Sequence, residues 1–378
     1  MLPAVVSFDY WIRNLLIRMC RSILFSKIND KKNIKKILVF RTGSIGDNIC
    51  ALPAFSAIRT NFPNAHIDIL TNSGKSLSVG LAALIDTSKF SNVIDYSNTD
   101  KKKLLSELKK NKYDLFIELP QYDSTAFRQI RNQFVVKLMG IKHAFGWKMS
   151  QTLLFPKFQE QNIKFKDERV RLLDILKENA IDISTDEFIY TKNNSTEILV
   201  KKIMLDNILE NKATNVGIVI GSNVPRNKWP IENFNKVSEH YLNKGFNILF
   251  FGGQEDKELV SKIALSKNMF NFCGVFTPLE TAEAMKYCSV VITNDTGPMH
   301  LSYMVNTPVV ALFSSRDFPE KWYPPTDGVN KVFRSENISC SICFSRSCSD
   351  NICLKKITPE EVIAAADNIL KSTHNVRN

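Results

Sequence analysis

A chain of 378 residues is long for one compact core, and two domains are the natural expectation. Its 44% apolar and 23% charged content is that of a soluble globular protein, with no internal repeat or low-complexity tract. Fifty basic against 38 acidic residues give a net charge of +12, which points to an anionic partner. Half of that excess lies early. Residues 1–36 carry Arg13, Arg18, Arg21, Lys27, Lys31, Lys32, Lys35 and Lys36 against Asp9 and Asp30.

The leader, residues 1–33, reads as a basic amphipathic helix. Phe8, Ile12, Leu15, Leu16, Met19 and Ile23 recur at helical spacing, and Asn14, Arg18 and Arg21 point away from them. Charge interrupts it too often for a bilayer span, and no uncharged core or small-residue cleavage site marks a secretory signal. Two readings stand for residues 8–24, which include Tyr10 and Trp11: a helix at a membrane interface, or a helix docked on the protein's own surface. Both place the protein in the cytoplasm, the first on the inner face of the inner membrane. A nucleic-acid partner is not favoured, because the basic surplus sits in this helix rather than interleaved with aromatics along one face.

The first strand is expected at 36–40, ending in Arg41-Thr42-Gly43-Ser44-Ile45-Gly46-Asp47. A helical stretch at 48–61 and a strand at 66–70 complete a βαβ unit, so a parallel sheet begins here. Further strands are expected at 93–96 and 114–118, around an exposed charged helix at 101–110. Residues 191–213, polar and then helical, read as a connection between a domain at 34–190 and another at 214–356. The second series runs strand 215–220, helix 230–243 opened by Pro230, strand 246–251 ending in Gly252-Gly253, and helix 255–267. A segment at 279–287 precedes a strand from Ser289, which breaks into Thr293-Asn294-Asp295-Thr296-Gly297. An apolar helix and a strand at 308–313 follow. A final helix at 358–370, capped by Thr358 with Pro359, Glu360 and Glu361 in its first turn, opens the terminal segment 357–378. Two Rossmann-like α/β domains facing each other across a cleft is the economical architecture.

Three strand-end loops carry the chemistry. In the first, Gly43 and Gly46 let backbone approach a ligand closely, and Ser44 lies between them. Asp47 at the helix start is either a cap or a carboxylate able to take a proton from an attacking hydroxyl. Neither a dinucleotide fingerprint nor a phosphate loop of the P-loop type occurs. In the second, Lys228 beside a helix N-terminus suits phosphate, where a solvated surface lysine is the plain alternative. Gly252-Gly253 would admit a nucleotide, with Glu255 or Asp256 near ribose hydroxyls. In the third, Thr296 and Gly297 offer a hydroxyl and N–H groups to a pyrophosphate beside Asp295, and His300 lies in the first turn that follows. Four cysteines, Cys340, Cys343, Cys348 and Cys353, match neither a zinc ribbon nor a ferredoxin. Reduced structural thiols or a local redox-labile knot are favoured over a metal site there.

Read together, KILVFRTGSIGDNICALPAFSAIRTNFPNAHIDILT, NKWPIENF with FFGG, and NDTGPMHLSYMVNTPVVALFSSRDFPEKWYP resemble glycosyltransferase family 9, the ADP-heptose:lipopolysaccharide heptosyltransferases, over residues 35–370. The trailing cysteine segment is similar to that of several members. The resemblance implies a GT-B fold, inverting transfer without a covalent intermediate or a required cofactor, and a nucleotide-sugar donor held mainly by the C-terminal domain. It implies that Asp47 is the catalytic base, that Lys228 binds phosphate, and that Asp295, Thr296, Gly297 and His300 belong to the donor site. A phosphorylated, lipid-linked glycan acceptor would account for the basic excess. The loop Ser222-Asn223-Val224-Pro225-Arg226 lacks a small hydroxyl pair that some heptosyltransferases use, and the leader is outside the common pattern. A different nucleotide sugar, or a non-catalytic binding protein on the same scaffold, therefore stays open.

Overall fold

Apolar runs buried on both faces of parallel strands account for most of the architecture. The computed structural model describes residues 4–72, 80–153, 165–184, 187–209, 213–263, 266–325, 327–336, 338–345 and 347–377. The chain divides into two compact units, Met1–Thr191 and Lys192–Asn378.

In the first unit, β1 (Lys36–Phe40), β2 (His66–Thr71), β3 (Asn92–Asp95), β4 (Leu115–Glu118) and β5 (His143–Phe145) form a five-stranded sheet in the order 3-2-1-4-5. Every pairing is parallel. Helix α1 (Ala4–Leu24) precedes the sheet. It is followed by α2 (Ile45–Asn61), α3 (Lys101–Lys110), α4 (Ala126–Leu138) and α5 (Glu168–Lys177). Helix α2 starts three residues ahead of the expected 48, which moves Asp47 from the helix edge into its first turn.

The second unit begins with α6 (Asn194–Met204), which lies inside the expected 191–213 connection and buries Val200 and Met204. Residues 210–212 of that connection are outside the described residues. Strands β6 (Asn215–Val219), β7 (Asn247–Phe250), β8 (Met269–Asn271), β9 (Val290–Asn294), β10 (Val309–Phe313) and β11 (Lys331–Arg334) pair in the order 11-10-9-6-7-8. Renumbered within the unit this is 6-5-4-1-2-3, the doubly wound Rossmann order, and all its pairings are parallel. Its helices are α7 (Ile231–Asn243), α8 (Lys257–Val260), α9 (Pro278–Met285), α10 (Gly297–Met304), α11 (Ile352–Lys355) and α12 (Pro359–Arg377). Phe234, Val237 and Tyr241 of α7 and Val362, Ala366 and Leu370 of α12 close over Val216, Ile218, Val290, Ile292, Val310 and Leu312 of the sheet. Each fully buried aliphatic side chain of this kind contributes ~1.5–3 kcal/mol.

Two expected helices differ. Pro230 has ψ 134, so it caps α7 rather than forming its first turn. The helix expected at 255–267 is a 3-10 turn at Gln254–Asp256 and the single turn of α8. It stops where the Ser261 hydroxyl donates to the Glu258 carbonyl and Lys262 and Ile263 take up tighter i to i−3 bonds. Residues 264 and 265 lie outside the described residues.

Candidate active site

Both sheets present their chemistry at the carboxyl ends of the strands where the strand order reverses: β1 and β4 in the first unit, β6 and β9 in the second. Ligands of open α/β sheets bind at these switch points.

In the first unit the loop from Arg41 to Asp47 leaves β1. Gly43 has φ +146, and a Cβ there would collide with the Gln121 side chain and with Asp47 Cβ, so only glycine fits. Asp47, half-buried at the third position of α2, accepts from the Ser44 amide at 2.8 Å and the Ser44 hydroxyl at 2.6 Å through Oδ2. The cap and the free carboxylate oxygen therefore coexist: Oδ1 accepts no hydrogen bond among the described residues. Gly46 is buried one position earlier.

Arg41, at the end of β1, holds this loop. Its guanidinium is 0% exposed and donates to the Leu119, Pro120 and Asp47 carbonyls at 3.3, 3.2 and 2.7 Å. It also lies 3.6 Å from the buried Glu168, whose two oxygens are gripped by Arg171 at 2.6 and 2.7 Å. The β1 loop, the β4 loop and α5 are thus pinned to one buried ionic cluster.

A cavity of about 540 Å³ adjoins this loop, with Thr42 and Gln121 in its wall and α3 and α4 on either side. Phe40, Leu105, Phe116 and Val136 make it apolar, and Arg128 and Arg131 give it positive charge. Glu118 also lines it. Burial pushes that carboxyl up to about 7, against the opposing effects of an Asn132 hydrogen bond and the two arginines.

In the second unit the β6 and β9 loops are tied to each other. Asn227 donates to Asp295 Oδ2 at 2.8 Å and to its carbonyl at 3.2 Å, while Ser314 donates to Asn227 Oδ1 at 2.7 Å. Asn294 accepts from the Trp229 amide at 3.0 Å and donates to the Ile220 carbonyl at 2.8 Å. Burial pushes the Asp295 carboxyl up to about 7; the charge of Asp317 adds to this, and Arg316 and Lys321 oppose it.

Lys228 emerges from this braced loop half-buried, and its ammonium forms no ion pair among the described residues. Its charge is felt by Asp256, which folds under the adjoining Gly252-Gly253 turn and accepts from the Gly253 amide at 2.9 Å. A Cβ at Gly221 or Gly252 would strike the Asp256 carboxylate. Glu255 is exposed, its carboxylate lying over Gly253, so it is Asp256 that builds the turn and Glu255 that stays available to a ligand.

Thr296 caps α10 without a side-chain cap bond, and Gly297 is its first residue, so a hydroxyl and an orphan N–H sit together at a helix start. His300 is 4% exposed, with Nδ1 2.6 Å from the Tyr303 hydroxyl. The structure therefore brings Lys228, Gly252, Gly253, Glu255, Asp295, Thr296 and Gly297 to adjacent strand ends and sets His300 behind them in the helix.

The four cysteines of the trailing segment are free thiols. Among the described residues no group of three potential ligands could hold a metal ion. Cys340 and Cys343 are half-buried, Cys348 is exposed and Cys353 is buried. What the segment does contribute is Asn351, left-handed at φ 49, whose side-chain amide donates to the Lys228 carbonyl at 3.1 Å. Just beyond it, the Ile357 carbonyl accepts from Trp229 Nε1 at 3.0 Å. The segment braces the Lys228 loop from behind.

Residues 102–353 match the profile of glycosyltransferase family 9 (heptosyltransferase). The chain is 26% identical over 360 residues to lipooligosaccharide heptosyltransferase 2 of Campylobacter jejuni serotype O:2, covering 90% of this chain and 99% of that one. Its fold is similar to a family 9 glycosyltransferase from Veillonella parvula, with TM-score 0.71 and 22% identity over 92% of this chain and all of the other. It is also similar to E. coli ADP-heptose LPS heptosyltransferase II, with TM-score 0.64 and 18% identity over 90% and 99% of the two chains. These likenesses give the fold as the two-sheet α/β arrangement of the GT-B type. On the profile match, the chain belongs to glycosyltransferase family 9 and is a glycosyltransferase.

Proposed function

We propose that this glycosyltransferase moves a heptose from ADP-heptose to the core of a lipopolysaccharide-type acceptor, with inversion at the anomeric carbon. The relatives named for heptose transfer support the sugar and the acceptor. The observation that carries the reading is Lys228, without an ion pair among the described residues, at the switch point of the second sheet beside Thr296, Gly297 and the Gly252-Gly253 turn.

A nucleoside diphosphate needs positive charge and N–H donors as its leaving group departs. Lys228 and the start of α10 supply both. The Gly252-Gly253 turn admits the nucleoside, and Glu255 accepts from ribose hydroxyls. Asp47 Oδ1 takes the proton of the attacking acceptor hydroxyl as that oxygen bonds to the anomeric carbon. Arg41 and Ser44 act only by positioning Asp47. The cavity beside Asp47, apolar within and carrying Arg128 and Arg131, suits an anionic acceptor linked to lipid. Such an acceptor places the work at the cytoplasmic face of the inner membrane, with residues 8–24 on its surface.

A panel of nucleotide sugars tests the donor by thermal shift, since a ligand at 100 times its Kd stabilises by ~2.7 kcal/mol. ADP-heptose is expected to raise Tm most, and Lys228→Ala to weaken ADP binding roughly 10–100-fold, as loss of a charge-assisted contact does. Stabilisation by another nucleotide sugar in place of ADP-heptose would move the enzyme to a different donor. Binding without any turnover would make it a binding protein.

A further inference from the structure

A surface helix of a globular protein normally buries its apolar stripe and shows water its polar one. Helix α1 instead leaves its larger apolar stripe outward. It docks on the first unit through Tyr10, Asn14, Ile17, Arg21 and Leu24, which recur at helical spacing. Much of that docking is polar. Asn14 Oδ1 accepts from the Met149 amide at 3.0 Å, Arg21 Nε donates to the Ala144 carbonyl at 3.0 Å, and Gln133 of α4 donates to the Ile17 carbonyl at 3.1 Å. Ile17 is sealed at 1% exposure. The opposite face carries Phe8, Trp11, Leu15, Leu16, Met19 and Ile23, with Trp11 58% and Ile23 80% exposed. Phe8 and Trp11 stack with ring centroids 6.4 Å apart.

Helix α4, against which α1 packs, repeats the pattern. It buries Ala126, Gln129, Gln133 and Val136 and exposes Phe127, at 78%, together with Phe134 and Leu138 along one stripe. An apolar surface of this extent, spread over two adjacent helices, is unfavourable in water unless something covers it.

The charges around it say what. Helix α4 contains Arg128, Arg131 and Lys137 and no acidic residue, and α3 carries Lys101, Lys102, Lys103, Lys109 and Lys110 against Glu107 alone. Arg13 and Arg18 flank the α1 stripe, and Lys27, Lys31, Lys32, Lys35 and Lys36 follow it. No described helix is long and apolar enough to cross a membrane. Aromatic and aliphatic side chains ringed by lysine and arginine match an interface of acyl chains beneath anionic headgroups.

We propose that the outward faces of α1 and α4 form one docking surface that holds the first unit on an anionic lipid bilayer. The surface deepens the lipid-linked acceptor reading, on which it rests for its purpose, because α4 supplies both this face and the Arg128, Arg131 and Val135 side of the cavity beside Asp47. An acceptor anchored in that bilayer would reach the cavity without leaving the membrane surface.

Flotation of the full-length protein with phosphatidylcholine vesicles, and with vesicles also containing phosphatidylglycerol, tests it. The protein should float with the anionic vesicles, and about tenfold less with the neutral ones or in high salt. Trp11→Gln with Leu16→Gln and Ile23→Gln should each time cut anionic binding about tenfold when combined, as should Phe127→Gln with Leu138→Gln. Turnover of a delipidated, water-soluble acceptor should not change, because all five side chains are exposed and none lines the cavity beside Asp47. Variants that float like the wild type would overturn the proposal. So would a wild-type dimer, seen by light scattering, that these substitutions dissociate while vesicle binding is absent throughout, since a second copy would then cover the face. Failure of the transfer reading looks different: no turnover of the soluble acceptor, with vesicle binding intact.

Discussion

Two carboxylates at the strand ends do different work. Asp47 keeps one oxygen in its cap with Ser44 while the other accepts no hydrogen bond among the described residues, and on the proposed reading loss of this positioned base lowers turnover ~10²–10⁴-fold. Asp47→Asn should therefore retain donor affinity while kcat falls by that order, which steady-state kinetics alongside an ADP titration would read. Asp295 is different, because burial lifts its carboxyl to about 7, well above the ~3.9 of an unfolded chain. The folded protein then holds a proton that the unfolded chain has already lost. The stability this contributes is complete below about pH 4 and falls away as pH rises through about 7. Relative to Asp295→Asn, which cannot ionise, the wild type should lose Tm progressively over that window and then run parallel to it. Parallel curves throughout would remove the effect. At this scale Asp47 and Asp295-Thr296-Gly297 stand out in the sequence because each follows an apolar run, and Lys228 because it lies just ahead of a helix start. Asn227, Asn294 and Asn351 were illegible: their partners lie 68, 65 and 123 residues away, and an isolated asparagine carries no trace of them.

At the scale of elements, both loops depend on bracing from segments remote in sequence. The Arg41–Glu168–Arg171 cluster joins β1, β4 and α5, and cutting one partner from a buried ion pair costs ~3–5 kcal/mol. Arg41→Met should destabilise by about that much in chemical denaturation. A drop below ~1 kcal/mol would show that Arg171 alone suffices for Glu168. On the other side, Asn351→Gly keeps the left-handed turn open while deleting the bond to the Lys228 carbonyl. The loss of one neutral hydrogen bond, ~1 kcal/mol, should raise the donor KM roughly fivefold and leave kcat alone. An unchanged KM would free the cysteine segment of any bracing role. Strands β1, β2, β4, β6, β7, β9 and β10 could be read as apolar runs, since parallel strands are buried on both faces. Strands β5 and β8 could not, having three residues each, and β11 could not because its four residues, KVFR, begin and end on a cation. The 255–267 helix was overread because helical spacing says nothing of Ser261 closing the turn on the Glu258 carbonyl.

For the whole molecule, the two sheets divide the chemistry. One carries Asp47 beside an apolar, basic-edged cavity; the other carries Lys228 among glycine turns at a helix start. The motifs that suggested the family lie at these strand ends, which is why the sequence spoke for the enzyme more plainly than for its surface. The leader's period showed an amphipathic helix, yet which face docks depends on Met149, Ala144 and Gln133, far along the chain. The most direct measurement is ADP release coupled to heptose transfer, using ADP-heptose, a truncated lipooligosaccharide core and the wild-type, Asp47→Asn and Lys228→Ala proteins, with the product's anomeric configuration read by NMR. The expected result is an inverted product from the wild type, formed ~10²–10⁴-fold more slowly by Asp47→Asn. Retention of configuration, wild-type rates with Asp47→Asn, or transfer from another nucleotide sugar but not from ADP-heptose would contradict the account.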